Sequence, residues 1–430
     1  GRRFLSWALI LPLALPPYVA AFVYYQGPEA AIPFLVWVRS EIGIAAFFVM
    51  ERVIRYGLRI VMRAAGLYPY GFLACRSTFS QQGRALVEAG RCLGDAPRRV
   101  FFRVAVPLAR PALVAGVALV LKEVINDYGA DHFFGVPTLT EGIFRTWFGM
   151  NDKVSALRLA SIVMLGVAML LIAEQILRGR ARYAEAGAAS APLARIKLGR
   201  RIGIFALLVC LLPLALGFLY PVGKLGHWAW LNLTSESGMT FAFGESLLRG
   251  LGLAGTTALI VTLVAAWFSY GVRLRENRLR RGSARIASLG YAPQGAVIAV
   301  GVLVVFGTFD RSAGSWMPIL SGTLLVIGFA YFVRFFSIPL QFSRAAMTRL
   351  GPSLGEAARL LVKPPIVTFL KIDLPLLRGP LIAAGMLLFV DILKELPLTL
   401  ILRPANFETL ATTAFSLASE SRLHACAVPS

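Results

Sequence analysis

Runs of about twenty apolar residues alternate with short, arginine-rich connections along almost the whole chain. Apolar blocks lie at 4–25, 107–124, 157–176, 202–221, 247–270, 287–306, 317–339 and 376–401. A helix rises about 1.5 Å per residue, so each block is long enough for a hydrocarbon core about 30 Å thick. A ninth crossing is needed between 42 and 77, where Glu51, Arg52, Arg55, Arg59 and Arg63 interrupt the apolar pattern. The better segment there is 47–74, with its arginines facing the bundle or reaching to the interface. The pattern predicts an all-α polytopic membrane protein with about nine crossings.

Charge then orients the spans. Arg2 and Arg3, the stretch 84–103, the connection 177–201, the loop 272–286 and the stretch after 339 are basic, whereas the alternate loops are poor in bases. Basic loops stay on the cytoplasmic side, so the alternation predicts a consistent topology. Composition agrees: 57% of the 430 residues are hydrophobic and 15% charged. The formal net charge of +22 would suggest nucleic acid on a soluble domain; here it marks topology, and no nucleic-acid module is expected. Cys75, Cys92, Cys210 and Cys426 have no disulfide or zinc spacing, and the histidines are scattered.

The stretch EAGRCLGDAPRRVFFRVAVPLARP at 88–111 returns in diverged form as EAARLLVKPPIVTFLKIDLPLLRGP at 356–380. Glu88 pairs with Glu356 and Pro107 with Pro375, an offset of 268. Repetition implies two similar halves: 1–176, a cytoplasmic linker at 177–201, and 202–430. Compared at equal position relative to the repeat, the first half is expected to lack two N-terminal helices and the second its last helix. Within the first copy, Glu88, Ala89 and Leu93 suit a short helix, Gly94 a sharp turn, and Pro97 the start of the next helix. The second copy has Val362 at the glycine position, followed by Pro364 and Pro365.

Glu88, Ala89, Gly94 and Pro107, with Glu356, Ala357, Ala358 and Pro375, form a pattern that resembles the EAA loop of the permeases of binding-protein-dependent ABC importers. The resemblance is nearest to the fused ferric iron permeases, and it includes DYGADHFFGVPTLTEGIFRTWF at 127–148 and YAPQGAVIAVGVL at 291–303. It implies the type I importer (MetI-like) fold, with nine helices seen of an expected twelve. It also implies that these eight residues dock a cytoplasmic ATPase, present in two copies, and that a periplasmic binding protein delivers cargo. ATP and magnesium belong on that ATPase; this chain binds no cofactor and is no enzyme. Localisation in a bacterial inner membrane follows from the same resemblance. The competing reading of the loops is a solvated connection whose arginines only set topology.

Glu123 and Asp127 stand four residues apart, a spacing that puts them on one helical face, and Asp391 and Glu395 repeat the arrangement at the same offset. Carboxylates near membrane depth are costly unless paired or wetted. They either line a cation path or meet the partner half, with Lys122 and Lys394 available to neutralise them. Their spacing defines no metal site. Ferric iron is the expected cargo, with thiamine, sulfate, polyamine or phosphonate as alternatives; a secondary transporter and a membrane scaffold are the remaining classes.

Overall fold

The computed structural model describes residues 2–26, 31–92, 96–178, 199–234, 241–274, 278–288, 290, 293–313, 319–349, 364–420 and 423–430. Among the described residues every regular element is helical. The chain begins with α1 (Arg2–Ala8), a tight turn and α2 (Pro17–Gln26), followed by α3 (Ile32–Glu41) and the 49-residue α4 (Ile44–Cys92). The repeated element follows as α5 (Pro97–Val100) and α6 (Val106–Asn126), and α7 (Tyr128–Phe133), α8 (Leu139–Phe144) and α9 (Lys153–Arg178) complete this region. Helices α10 (Arg200–Leu214), α11 (Tyr220–Thr234), α12 (Phe241–Leu274), α13 (Arg278–Ser288), α14 (Gly295–Ala313), α15 (Leu324–Phe335) and α16 (Ser337–Arg349) lead to the second repeat. There α17 (Pro365–Thr368) and α18 (Leu374–Leu393) precede α19 (Pro397–Leu402), α20 (Leu410–Ser419) and α21 (Leu423–Cys426).

Five described helices are long and apolar enough to cross a membrane: Lys153–Leu177, Arg200–Thr234, Phe243–Leu274, Gly295–Ser312 and Pro365–Leu393. Two bent pairs also qualify, Phe4–Ala14 with Pro17–Gln26 at 84° and Leu324–Phe335 with Ser337–Thr348 at 47°. The other two expected crossings fall in α4 and α6, which pack along each other but carry charges within their apolar stretches. Prolines account for the bends: Pro16 and Pro17 follow the first break, and Pro339 lies four residues beyond the Phe335 carbonyl that its ring displaces.

Several boundaries differ from the sequence pattern. Residues 26–41, which the apolar pattern leaves as a connection between crossings, contain α3, and the interrupted stretch 42–77 lies from Ile44 onward within one helix, α4. Helical structure continues past residue 221 to Thr234, because the Trp- and Leu-rich run after Pro221 can still bury surface along a helix. Crossing α14 begins at Gly295 and runs to Ala313, shifted toward the C-terminus from the expected 287–306. Asp152 opens α9 by accepting from the amides of Val154 and Ser155 at 3.1 and 3.0 Å. The Ser155 hydroxyl, also bonded to Asp152, and these amides hold its carboxyl below the usual range.

The chain packs as two compact units, Gly1–Glu141 with Leu165–Trp228, and Gly142–Met164 with Ala229–Ser430. These contact units group residues differently from the sequence repeats. In the first, Ala20, Ala21, Tyr24, Met62, Ala130, Phe134 and Val136 form a core where α2 and α7 meet α4. Pro69 has no amide hydrogen to give the Ala65 carbonyl four residues earlier. Gly217 brings its backbone against that oxygen, where no side chain would fit. Beside it the Tyr24 hydroxyl donates to the Leu216 carbonyl at 2.7 Å. In the second unit α12, α16 and α18 pack around Ala266, Tyr270, Ala346, Met347, Phe369, Leu377 and Leu381.

Candidate coupling elements and membrane charge clusters

The repeat seen in sequence is also a repeat of backbone form. Pro97–Val100 forms a short helix, Phe101–Ala105 a π-helical turn, and Val106 begins the long helix α6. At an offset of 268, Pro365–Thr368, Phe369–Asp373 and Leu374 do the same. The prolines explain the widened turns. Pro107 and Pro375 cannot donate a helical bond, so the preceding amides, Val106 and Leu374, reach five residues back to the carbonyls of Phe101 and Phe369. Both prolines are exposed. Glu88 and Ala89 lie in the last turns of α4. Gly94, Glu356, Ala357, Ala358 and Val362 lie outside the described residues, as does linker stretch 179–198.

The exits of the two loops are held differently. In the second, the Tyr270 hydroxyl donates to the Pro365 carbonyl at 2.9 Å, and Arg273 meets Asp373 at 3.1 Å. Trp267 and Tyr270 pack on the ring of Phe369 with centroids 5.2 and 5.0 Å away. Phe369 is 5% exposed beneath α12, whereas Phe101 at the same repeat position is 47% exposed.

A charge cluster lies at the far end of α6. Arg59 and Arg63, one turn apart on α4, both donate to Asp131 Oδ1 of α7. Arg63 also reaches Asp127 at 3.4 Å and donates to the Val124 carbonyl at 2.9 Å. Asp127 caps α7 by accepting from the Ala130 amide at 3.0 Å. The two arginines therefore balance the two aspartates, which is how buried charge is tolerated in a low-dielectric setting. Gly135, at φ 60°, turns the chain after α7, with the Arg55 guanidinium 3.4 Å from where a side chain would stand. Arg55 in turn pairs with Glu51. Lys122 meets Glu174 of α9 at 3.5 Å.

The second unit repeats the position with other chemistry. Arg63 and Asp131 correspond at the same offset to Tyr331 and Thr399, whose hydroxyls bond at 2.6 Å. Charge moves one turn along the helix: Arg334 of α15 meets Glu395, the counterpart of Asp127, at 3.1 Å. Glu395 accepts from the Leu398 amide at 3.3 Å, as Asp127 does from Ala130. Asp391 pairs with Lys394 at 2.8 Å. Gly295 leaves room for this arrangement, since a side chain there would strike both Arg334 and Glu395.

The structure thus draws Asp127, Asp391 and Glu395 into ion pairs, while Glu123 lies in the last turn of α6. That helix ends at Asn126, where Asp127 turns extended to cap α7, so Glu123 and Asp127 do not share the helical face expected of them, and Glu395 likewise falls beyond the end of α18 at Leu393. The sequence pattern did not single out Arg59, Arg63 and Asp131 as members of this cluster. Two arginines four apart and two aspartates four apart, on segments flanking the first repeat, were the available signal. Among the described residues no three His, Cys, Asp or Glu side chains are gathered to hold a metal ion.

Comparison with known proteins identifies this architecture. Residues 1–183 match the family described as the binding-protein-dependent transport system inner membrane component. The whole chain is 25% identical to 79% of the Fe(3+)-transport system permease protein FbpB 2 of Haemophilus influenzae. It is 23% identical, over 95% of its length, to 74% of a probable ABC transporter permease protein of Sinorhizobium fredii. A part amounting to 41% of the chain is 26% identical to 78% of the molybdenum transport system permease protein ModB of Escherichia coli. With several helices long and apolar enough to cross a membrane and a repeated helix, π-turn and proline element, the chain resembles the permeases of binding-protein-dependent ABC importers along its whole length, and residues 1–183 carry the match to that inner membrane component family.

Proposed function

We propose that this permease translocates ferric iron, delivered by a periplasmic binding protein, across a bacterial inner membrane. The observation that carries the reading is the resemblance along the whole chain to a ferric iron permease, joined to the doubled coupling element. Each of two separate ATPase subunits, holding ATP and magnesium, docks on one repeated loop: one at Glu88, Ala89, Gly94 and Pro107, the other at Glu356, Ala357, Ala358 and Pro375. A helix then carries loop motion to each charge cluster. In the first repeat α4 contains both Glu88 and the arginines that grip Asp131. In the second, α16 leads back across the 47° bend to α15 and Arg334. Asp127 and Glu395 serve as locks whose ion pairs reform as the pathway changes its opening, an alternation between two states.

Reconstitution with the ATPase and a candidate iron-binding protein tests both levels. Uptake of radioactive iron should require all three components and ATP. It should fall at least tenfold when Glu88 and Glu356 are both changed to Ala, with loss of ATPase co-purification. Undiminished docking in that variant would overturn the coupling role. ATP-driven uptake of an oxyanion in place of iron would favour the second reading, a sulfate or molybdate permease, which rests on the partial likeness to such proteins.

A further inference from the structure

We infer that α13 is a docking surface for the anionic headgroups of the membrane leaflet it borders. Its sequence, RLRRGSARIAS, is short, basic and strongly two-faced. Ala284 is fully buried, and the helix packs against α16, so one side belongs to the protein. Leu279 and Ile286, seven residues apart on one stripe, are 81% and 72% exposed. Arg278, Arg281 and Arg285 recur in the sequence at steps of three and four, a spacing that helical periodicity sets roughly 80–160° from the apolar pair. Two apolar side chains left exposed among the described residues, beside a cationic stripe, are the pattern of a helix lying in a bilayer interface.

Position and charge select the lipid over a soluble partner. In sequence α13 joins α12 to α14, two membrane-crossing helices, and is tethered where hydrocarbon gives way to headgroups. The stretch 272–286 holds six arginines, Arg273, Arg275, Arg278, Arg280, Arg281 and Arg285, against Glu276 alone. Arg273 is already engaged by Asp373. Arg278, Arg280, Arg281 and Arg285, which belong to α13, supply cations to phosphate while Leu279 and Ile286 enter the acyl boundary.

The test places a photoreactive phenylalanine analogue at position 286 of the full chain, in nanodiscs of phosphatidylcholine alone or mixed with phosphatidylglycerol. Both faces of a nanodisc carry the same lipids, so the result does not depend on which side is cytoplasmic. Lipid adducts should rise about fivefold with the anionic lipid. Changing Arg278, Arg280, Arg281 and Arg285 to Gln should remove the rise, and changing them to Lys should keep it. The same probe at Leu325, which is 72% exposed on membrane helix α15, should be labelled equally in every case and reports that each variant is correctly embedded. Equal labelling of position 286 in both compositions, or adducts to protein in place of lipid, would overturn the inference.

Discussion

At position 63 the first repeat carries Arg, and at the equivalent position 331 the second carries Tyr; opposite them stand Asp131 and Thr399. One pair closes its turn with charge and the other with a hydroxyl bond at 2.6 Å. Both solutions satisfy buried polar groups, yet they differ in what their loss costs. Removing one member of a buried ion pair strands a charge, whereas removing a hydroxyl strands at most a neutral group. The loop exits differ in the reverse sense, because Phe369 is buried under α12 and Phe101 is exposed. The first half thus uses charge where the second uses hydroxyls and sets its ion pair one turn away, while the second is tied more firmly at its loop.

The comparison breaks most readily at Asp131. Asp131→Ala should destabilise the detergent-solubilised protein by about 3–5 kcal/mol, and Thr399→Val by about 1 kcal/mol, measured by denaturant unfolding. Equal losses would show that the charges contribute no more than the hydroxyls. At the loops the order inverts: Phe369→Ala should cost about 3 kcal/mol and Phe101→Ala no more than about 0.5 kcal/mol. Limited proteolysis of the second loop should quicken in the first variant alone. The smallest contrast lies at two glycines. Gly295→Ala should cost about 1–2 kcal/mol by crowding Arg334 and Glu395, whereas Gly66→Ala, which meets nothing within 4 Å, should gain about 0.5–1 kcal/mol of helix propensity. A neutral Gly295→Ala would mean that the ion pair relaxes without penalty.

Much of this was legible before any coordinates. The offset between Glu88 and Glu356 already aligned the two prolines whose missing amides produce the π-turns, and the basic connections marked the spans. Pro97 was expected to begin a helix and does so. Arginines in 42–77 were expected to face the bundle or snorkel; Arg59 and Arg63 take the first course. Their partner Asp131 stayed hidden because it sits 68 residues from Arg63, and periodicity reports which side of a helix is polar without naming what lies opposite. Gly217 was illegible for a similar reason. A glycine in an apolar run looks like any small residue until Pro69 leaves the Ala65 carbonyl for it to meet. Helix ends near 221 and 306 were misplaced because hydropathy falls before the hydrogen-bonded backbone stops.

Helix α4 is about 73 Å long at 1.5 Å per residue, more than twice the hydrocarbon thickness of a bilayer. Held at Arg63, it is a lever with two unequal arms: about 37 Å to Glu88 and about 28 Å to Ile44. Displacing the Glu88 end by one helical pitch, about 5.4 Å, would swing the Ile44 end about 4 Å the other way. A small stroke on one side of the membrane would thereby arrive on the other reversed in direction and only slightly diminished.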